Sequence, residues 1–169
     1  KKKKGGINTM KVEDILGLQE FGLITVKPDD LLSDAVVLMA DKDIGSVVVV
    51  NDQNALVGML TFREVLKILA KRQTENRSGQ TPTMSEIKVS EVMNSNPTET
   101  TSEMGIDELR RTMNSCGERY LPCVDAKIVK GVVSFHDVAR AMLKEQDFEN
   151  RMLKAYIQDW PDGQNNDEK

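Results

Sequence analysis

A chain of 169 residues, 39% hydrophobic and 30% charged, with a net charge of −4, fits one domain or two small ones that share a core. The acidic balance argues against a general binder of nucleic acid or anionic membrane. No apolar run approaches the roughly 18 residues that span a bilayer, so neither membrane insertion nor an intact secretory signal is expected.

Lys1 to Lys4 read as a solvated basic end, processed or artificial, rather than a phosphate-binding arm. Beyond them, Val12 to Leu18 forms a short segment and Leu23 to Val26 an extended one, and Pro28-Asp-Asp starts a helix. From Leu31 to Lys42, apolar Leu32, Ala35, Val36 and Met39 recur at spacings of three and four, one face of a helix. Ser46 to Val50 is a continuous β-branched run that suits a strand covered on both faces. Asn51 to Asn54 is a turn by composition, Leu56 to Leu60 the returning strand, and Phe62 to Arg72 a helix. Gln73 to Glu86, rich in small polar residues, reads as a linker.

The second half repeats this order. Pro97 to Thr100 takes the first strand position, Met104 to Ser115 the helix with Ile106, Leu109 and Met113 inward, and Arg119 to Val124 the next strand. Asp125-Ala-Lys127 is the turn, Ile128 to Val133 the returning strand, and a long helix runs from Phe135 towards Asp159, before a polar tail from Pro161. Each unit is strand, helix, strand, strand, helix, with a right-handed crossover and a hairpin. The expected fold is therefore mixed α/β (α+β): two small sheets with helices on one face.

The two halves also share residues. Gly58-Met-Leu-Thr61-Phe-Arg-Glu64-Val65 returns as Gly131-Val-Val-Ser134-Phe-His-Asp137-Val138 at an offset of 73, and Lys11 to Leu16 aligns with Lys88 to Met93 at 77. Two such units are too long and too few for a solenoid and should pack against each other, with the function between them.

Together with Ala35 to Met39, Ile44-Gly45-Ser46 to Val50, and Arg119-Tyr-Leu-Pro122-Cys-Val124-Asp125, these segments resemble the tandem CBS-domain module (two cystathionine-β-synthase-type repeats, a Bateman module). The resemblance runs from about Val12 to Leu143, in the stand-alone CBS-pair subclass. It implies two repeats related by a pseudo-twofold axis, with boundaries expected as follows: an N-terminal stretch 1–10 without fixed structure, repeats 11–72 and 88–146, a linker 73–87, a helical extension 147–160 and a flexible tail 161–169. It also implies a non-catalytic regulatory module that requires no cofactor. Such a module binds an adenosine-containing ligand (AMP, ADP, ATP, S-adenosylmethionine or NAD), forms a homodimer and modulates a partner protein.

A site of that kind needs a carboxylate for ribose hydroxyls, a hydroxyl or amide near phosphate, a cation and an apolar slot. The resemblance makes Asp137 the ribose carboxylate. Ser134 opens a helix whose amides can face phosphate, His136 or Arg119 adds positive charge, and Gly131 lets a backbone come close. In the first repeat the corresponding residues are Thr61, Arg63 and Glu64, and the resemblance adds Thr25 and Val26 to the site. A competing reading needs no ligand, because Thr61-Phe-Arg-Glu64 is a capping box as written. Glu64 also departs from the aspartate usual in the family, so at most one strong site per chain is expected, the one at Asp137. The polar Glu99 and Glu118, where the first repeat has Thr25 and Ile44, favour an alternative: a degenerate pair serving as a structural or adaptor subunit.

Chemistry of other kinds has little support. His136 is the only histidine, so no histidine pair is available for a metal. Ser134, His136 and Asp137 stand too close along one helix start to form a hydrolase triad. Gly45-Ser46 lacks the spacing and lysine of a phosphate loop, and the periodic methionines read as core fillers. No catalytic constellation is present, so the chain is not expected to be an enzyme. Cys116 and Cys123 match no zinc or redox spacing and read as buried, inert thiols of an intracellular compartment, cytoplasm or an organelle matrix such as that of mitochondria.

Overall fold

A computed structural model describes residues 10–75 and 83–158. The first repeat contains β1 (Thr25–Val26), α2 (Leu32–Asp41), β2 (Ser46–Val50), β3 (Leu56–Thr61) and α3 (Phe62–Glu75), preceded by α1 (Val12–Gly17). The second contains α4 (Ile106–Cys116), β4 (Tyr120–Asp125), β5 (Ile128–Ser134) and α5 (Phe135–Gln158), preceded by short 3-10 turns at Met84–Glu86 and Val89–Glu91. The first sheet has the order β1-β2-β3, with β1 parallel to β2 and β2 antiparallel to β3. The expected mixed architecture is thus present, and α3 runs one turn beyond the expected Arg72. Lys1 to Lys4, Asp159 and the tail lie outside the described residues.

The strand expected at Pro97 to Thr100 does not form. The second sheet has only β4 and β5, and Thr100 contributes a single parallel bridge to Cys123. Pro122 is the reason. In the first repeat the Val48 N–H donates to the Ile24 carbonyl to start the parallel ladder (3.3 Å). Pro122 occupies the matching position at an offset of 74 and has no N–H to give. Only the Thr100 N–H to Pro122 (2.9 Å) and the Val124 N–H to Thr100 (2.8 Å) remain.

The two cores are completed by exchange. Val12 and Ile15 of α1 pack with Ile106, Leu109, Met113, Leu121, Val133 and Val138 of the second repeat. Ile87 and Val89 in turn pack with Leu32, Ala35, Val47, Val49 and Leu60 of the first. Backbone bonds repeat the exchange symmetrically: Leu32 N–H to the Ile87 carbonyl (2.8 Å) and Ile106 N–H to that of Met10 (3.0 Å), Val89 N–H to Asp30 (2.8 Å) and Val12 N–H to Met104 (3.0 Å). A third cluster, Val48, Val50 and Val129 with Leu56, Val124 and Val132 around it, joins the two sheets.

The repeated glycines follow from the exchange. A Cβ on Gly58 would sit 2.7 Å from the Met93 sulfur, and one on Gly131 would sit 2.7 Å from a Leu16 methyl. The offset of 77 that relates Leu16 to Met93 and the offset of 73 that relates the glycines therefore meet in space as one crossing seen twice.

The cysteines differ from the expectation of two buried thiols. Cys123 is buried, and Cys116, on the last turn of α4, is exposed. Burial, with some help from Asp125, pushes the Cys123 thiol up to about 11. Its raised value means that the neutral thiol is favoured by the fold below its ordinary value near 9, and that this stabilisation is lost as pH rises from 9 to 11. Native protein at pH 8 is expected to react with a chromogenic disulfide reagent at one thiol per chain, Cys116, with Cys123 reacting only on unfolding. Rapid reaction of both thiols in the native state would contradict this.

Candidate functional site

Two clefts open between the repeats. They meet where β2 and β4 begin. Gly45-Ser46 in the first repeat corresponds to Arg119-Tyr120 in the second, at an offset of 74, and the two pairs fit small against large. A Cβ on Gly45 would fall 1.9 Å from the Tyr120 hydroxyl, and the Tyr120 ring meets that of Phe62 edge to face, with centroids 6.0 Å apart and planes at 88°. The helices that follow are hung on the same backbone: the Phe62 N–H donates to the Gly45 carbonyl (3.1 Å) and the Phe135 N–H to that of Arg119 (2.9 Å). Gly45→Ala is expected to destabilise the fold by about 1–3 kcal/mol through this overlap. In a Tyr120→Ser background, which removes the overlapping ring and places at 120 the residue type of the matching Ser46, Gly45→Ala should cost much less in urea unfolding than it does in wild type. An equal cost in the two backgrounds would refute the small-against-large fit.

The first cleft, of about 540 Å³, is lined by both repeats. Ser134, His136 and Asp137 of the second repeat and Ile24, Ile44 and Ser46 of the first are among its lining residues, with the exposed Phe21 and Leu23. Asp137 caps its own helix. Its Oδ2 accepts from the Ser134 N–H and hydroxyl (both 2.8 Å) and from Gln19 Nε2 (3.0 Å), while the Asp137 N–H donates to the Ser134 hydroxyl (3.0 Å). Among the described residues no hydrogen bond reaches Oδ1. Capping and ligand contact, competing readings of the sequence, are therefore compatible in one carboxylate. His136 Nε2 lies 3.0 Å from the Arg140 guanidinium on the next turn. Burial raises the Tyr120 phenol above its ordinary value, with Asp137 adding to the rise and Arg119 opposing it.

The second cleft, of about 880 Å³, is lined by Thr61, Arg63, Glu64, Lys67 and Ala70 of the first repeat and by Met93, Asn94, Pro97 and Glu118. Glu64 repeats the cap, with Oε2 accepting from the Thr61 N–H (2.9 Å) and hydroxyl. The Arg63 guanidinium reaches across to the Gly117 carbonyl (3.1 Å). Glu118 stands where the first cleft has Ile44, and its carboxylate is tied to the Thr98 N–H (3.1 Å) and faces Asn94 Nδ2 (3.5 Å). Three residues, Phe62, Arg119 and Tyr120, line both clefts.

Thus Ser134, His136 and Asp137 come together in the first cleft, Thr61, Arg63 and Glu64 in the second, and Arg119 in both. Thr25, Val26 and Gly131 line neither. The crossing with Leu16 is what occupies the space beside Gly131. Sequence reasoning missed Gln19, which holds Asp137 from outside its own repeat, and the Phe62–Tyr120 partition. The changed offset of the N-terminal segment and the Gly45/Arg119 mismatch were the signals that point to them.

The CBS-domain family model matches residues 12–71 and 89–144, the two repeats. The chain belongs to the CBS-domain family. It is 33% identical over 115 residues to the CBS domain-containing protein YhcV of Bacillus subtilis, covering 68% of this chain and 75% of that one. It is 32% identical over 132 residues to the mitochondrial CBS domain-containing protein CBSX3 of Arabidopsis thaliana, covering 77% of this chain and 61% of the relative. Among solved structures, a signal-transduction protein with CBS domains from Burkholderia ambifaria superposes with a TM-score of 0.68 at 26% identity, over 81% of this chain and 96% of that one. CBSX2 in complex with AMP superposes with a TM-score of 0.66 at 24% identity, over 80% and 98%. The CBS domain pair of protein MJ0100, in complex with 5-methylthioadenosine and S-adenosyl-L-methionine, does so at 0.68 and 21%, over 81% and 98%. These last two likenesses show the fold. Among the described residues of this CBS pair, no helix is long and apolar enough to cross a membrane, and no group of histidine, cysteine and carboxylate side chains is gathered as a metal site.

Proposed function

We propose that this CBS pair is a non-catalytic regulatory module that binds an adenosine-containing ligand in its first cleft. The observation that carries the reading is Asp137: Oδ2 is committed to the helix cap and to Gln19, while Oδ1 remains for ribose hydroxyls in a cleft walled by both repeats. Ile24, Ile44 and Phe21 offer the apolar surface for a base, and the start of α5, with Arg119, favours an anionic group. A ligand touching both repeats favours their closed arrangement by its differential affinity, and a homodimer mate or a partner protein reads that population shift. The AMP and S-adenosylmethionine complexes of the structural neighbours support this ligand class. The compartment proposed is cytoplasm or an organelle matrix; the mitochondrial relative supports the latter. Isothermal calorimetry with AMP, ADP, ATP, S-adenosylmethionine and NAD tests the reading, and heat from none of them removes it.

A second reading, an adaptor subunit without ligand, is favoured by α5. Beyond Met142 its apolar side chains stay exposed, including Leu143 (63%), Phe148 (65%) and Ile157 (68%), a surface of the kind that partners cover. A thermal-shift screen separates the two, since a specific ligand raises the melting temperature by linkage.

A further inference from the structure

Resting on that functional reading, we infer that the two clefts compete for one guanidinium, that of Arg119, so that an anionic nucleotide in either cleft weakens the binding of a second anion in the other. Arg119 lines both clefts, immediately before β4, with Tyr120 and Phe62, which also line both, as the partition between them. Both long helices begin at this wall. The Phe62 N–H is held by the Gly45 carbonyl and the Phe135 N–H by the Arg119 carbonyl, so the positive ends of both helix dipoles draw the anionic ends of two ligands towards the same place.

The charges on either side make the two clefts depend on Arg119 unequally. In the first cleft Glu20, Asp43 and Asp137 face only Arg119, Arg140 and His136, and His136 lies against Arg140. In the second, Arg63 and Lys67 accompany Arg119 against Glu64 and Glu118, with Arg63 already bonded to the Gly117 carbonyl. The first cleft therefore depends most on Arg119 for its own affinity, while the weakening that one occupied cleft imposes on the other is the same in both directions by linkage. The first repeat has Gly45 at the position matching Arg119, so the axis carries one such cation where two-fold symmetry would have supplied two. The coupling follows from that inequality.

The test is AMP binding measured by calorimetry on wild type, on Ala70→Trp to plug the second cleft, on Gly22→Trp to plug the first, and on the same three forms carrying Arg119→Gln. Ala70 is exposed and a side chain at Gly22 meets no atom within 4 Å, so both plugs are compatible with folding. The plugged forms give each cleft's own affinity. In wild type the product of the two stepwise association constants is expected to fall at least about fivefold below the product of those single-cleft constants. In Arg119→Gln, carried also into both plugged forms, the two products are expected to agree. The wild-type deficit should also shrink as salt screens the charges. Equal products in wild type, a deficit that survives Arg119→Gln or high salt, or a second cleft that takes no AMP when the first is plugged overturns the inference while leaving the functional reading in place. Absence of AMP binding to every form overturns the inference, and the functional reading falls with it when ADP, ATP, S-adenosylmethionine and NAD also give no heat with wild type.

Discussion

Ile15→Ala is expected to lower the stability of the whole protein by about 3 kcal/mol, although Ile15 belongs to the segment that precedes the first repeat's sheet. The side chain is 2% exposed and packs with Ile106, Leu109, Met113 and Leu121, so truncation removes its burial energy and leaves a cavity in the second repeat. Val89→Ala makes the mirror change, since Val89 is fully buried in the first repeat's core, at a cost of roughly 1–3 kcal/mol for the smaller side chain. Each repeat borrows an apolar turn from the other's leading segment, so neither core is complete alone, and both variants should shift one shared transition. Urea unfolding followed by circular dichroism and by tyrosine fluorescence checks this. Two separate transitions, or a loss under about 1 kcal/mol for Ile15→Ala, would show that the exchange contributes little.

The alternation of strands and helices was legible because its signals are local. The β-branched run Ser46 to Val50 and the three-and-four spacing of Leu32, Ala35 and Met39 each point to one element, and both are where they were expected. The lost first strand of the second repeat was not legible from Pro97 to Thr100, because the missing donor belongs to Pro122 in a different strand, and only the pairing shows which N–H the ladder needs. The site divides in the same way. Ser134 and Asp137 are three residues apart on one helix start, so their contact could be read from spacing. Gln19 reaches Asp137 from 118 residues away, and Tyr120 fits over Gly45 across the axis, and neither relation has a local signature. The sequence makes Gly131 a place where a backbone can come close in the nucleotide site. Close approach is indeed what it provides, to the side chain of Leu16.

Asp137→Ala is expected to weaken binding of AMP to the first cleft by about 10- to 100-fold, the scale of one or two hydrogen bonds to a charged group. It should also lower stability by about 1 kcal/mol through loss of the cap, since Ser134 loses both of its bonds to Oδ2. The two effects can be separated. Asp137→Asn retains one carbonyl oxygen, which can accept from the Ser134 N–H and hydroxyl, so most of the cap survives, but it lacks the second anionic oxygen that would face ribose. An affinity loss in both variants, with a stability loss mainly in the alanine, identifies the ligand role of Oδ1. Glu64→Ala supplies the control from the other half: it removes the matching cap to Thr61, costs a similar stability, and should change affinity in the first cleft by less than about threefold, since Glu64 lines only the second. Calorimetry on the three variants, alongside urea unfolding, decides. If Asp137→Asn binds AMP as wild type does, the carboxylate at the start of α5 is a helix cap alone, and the repeated motif is a folding signal in both halves.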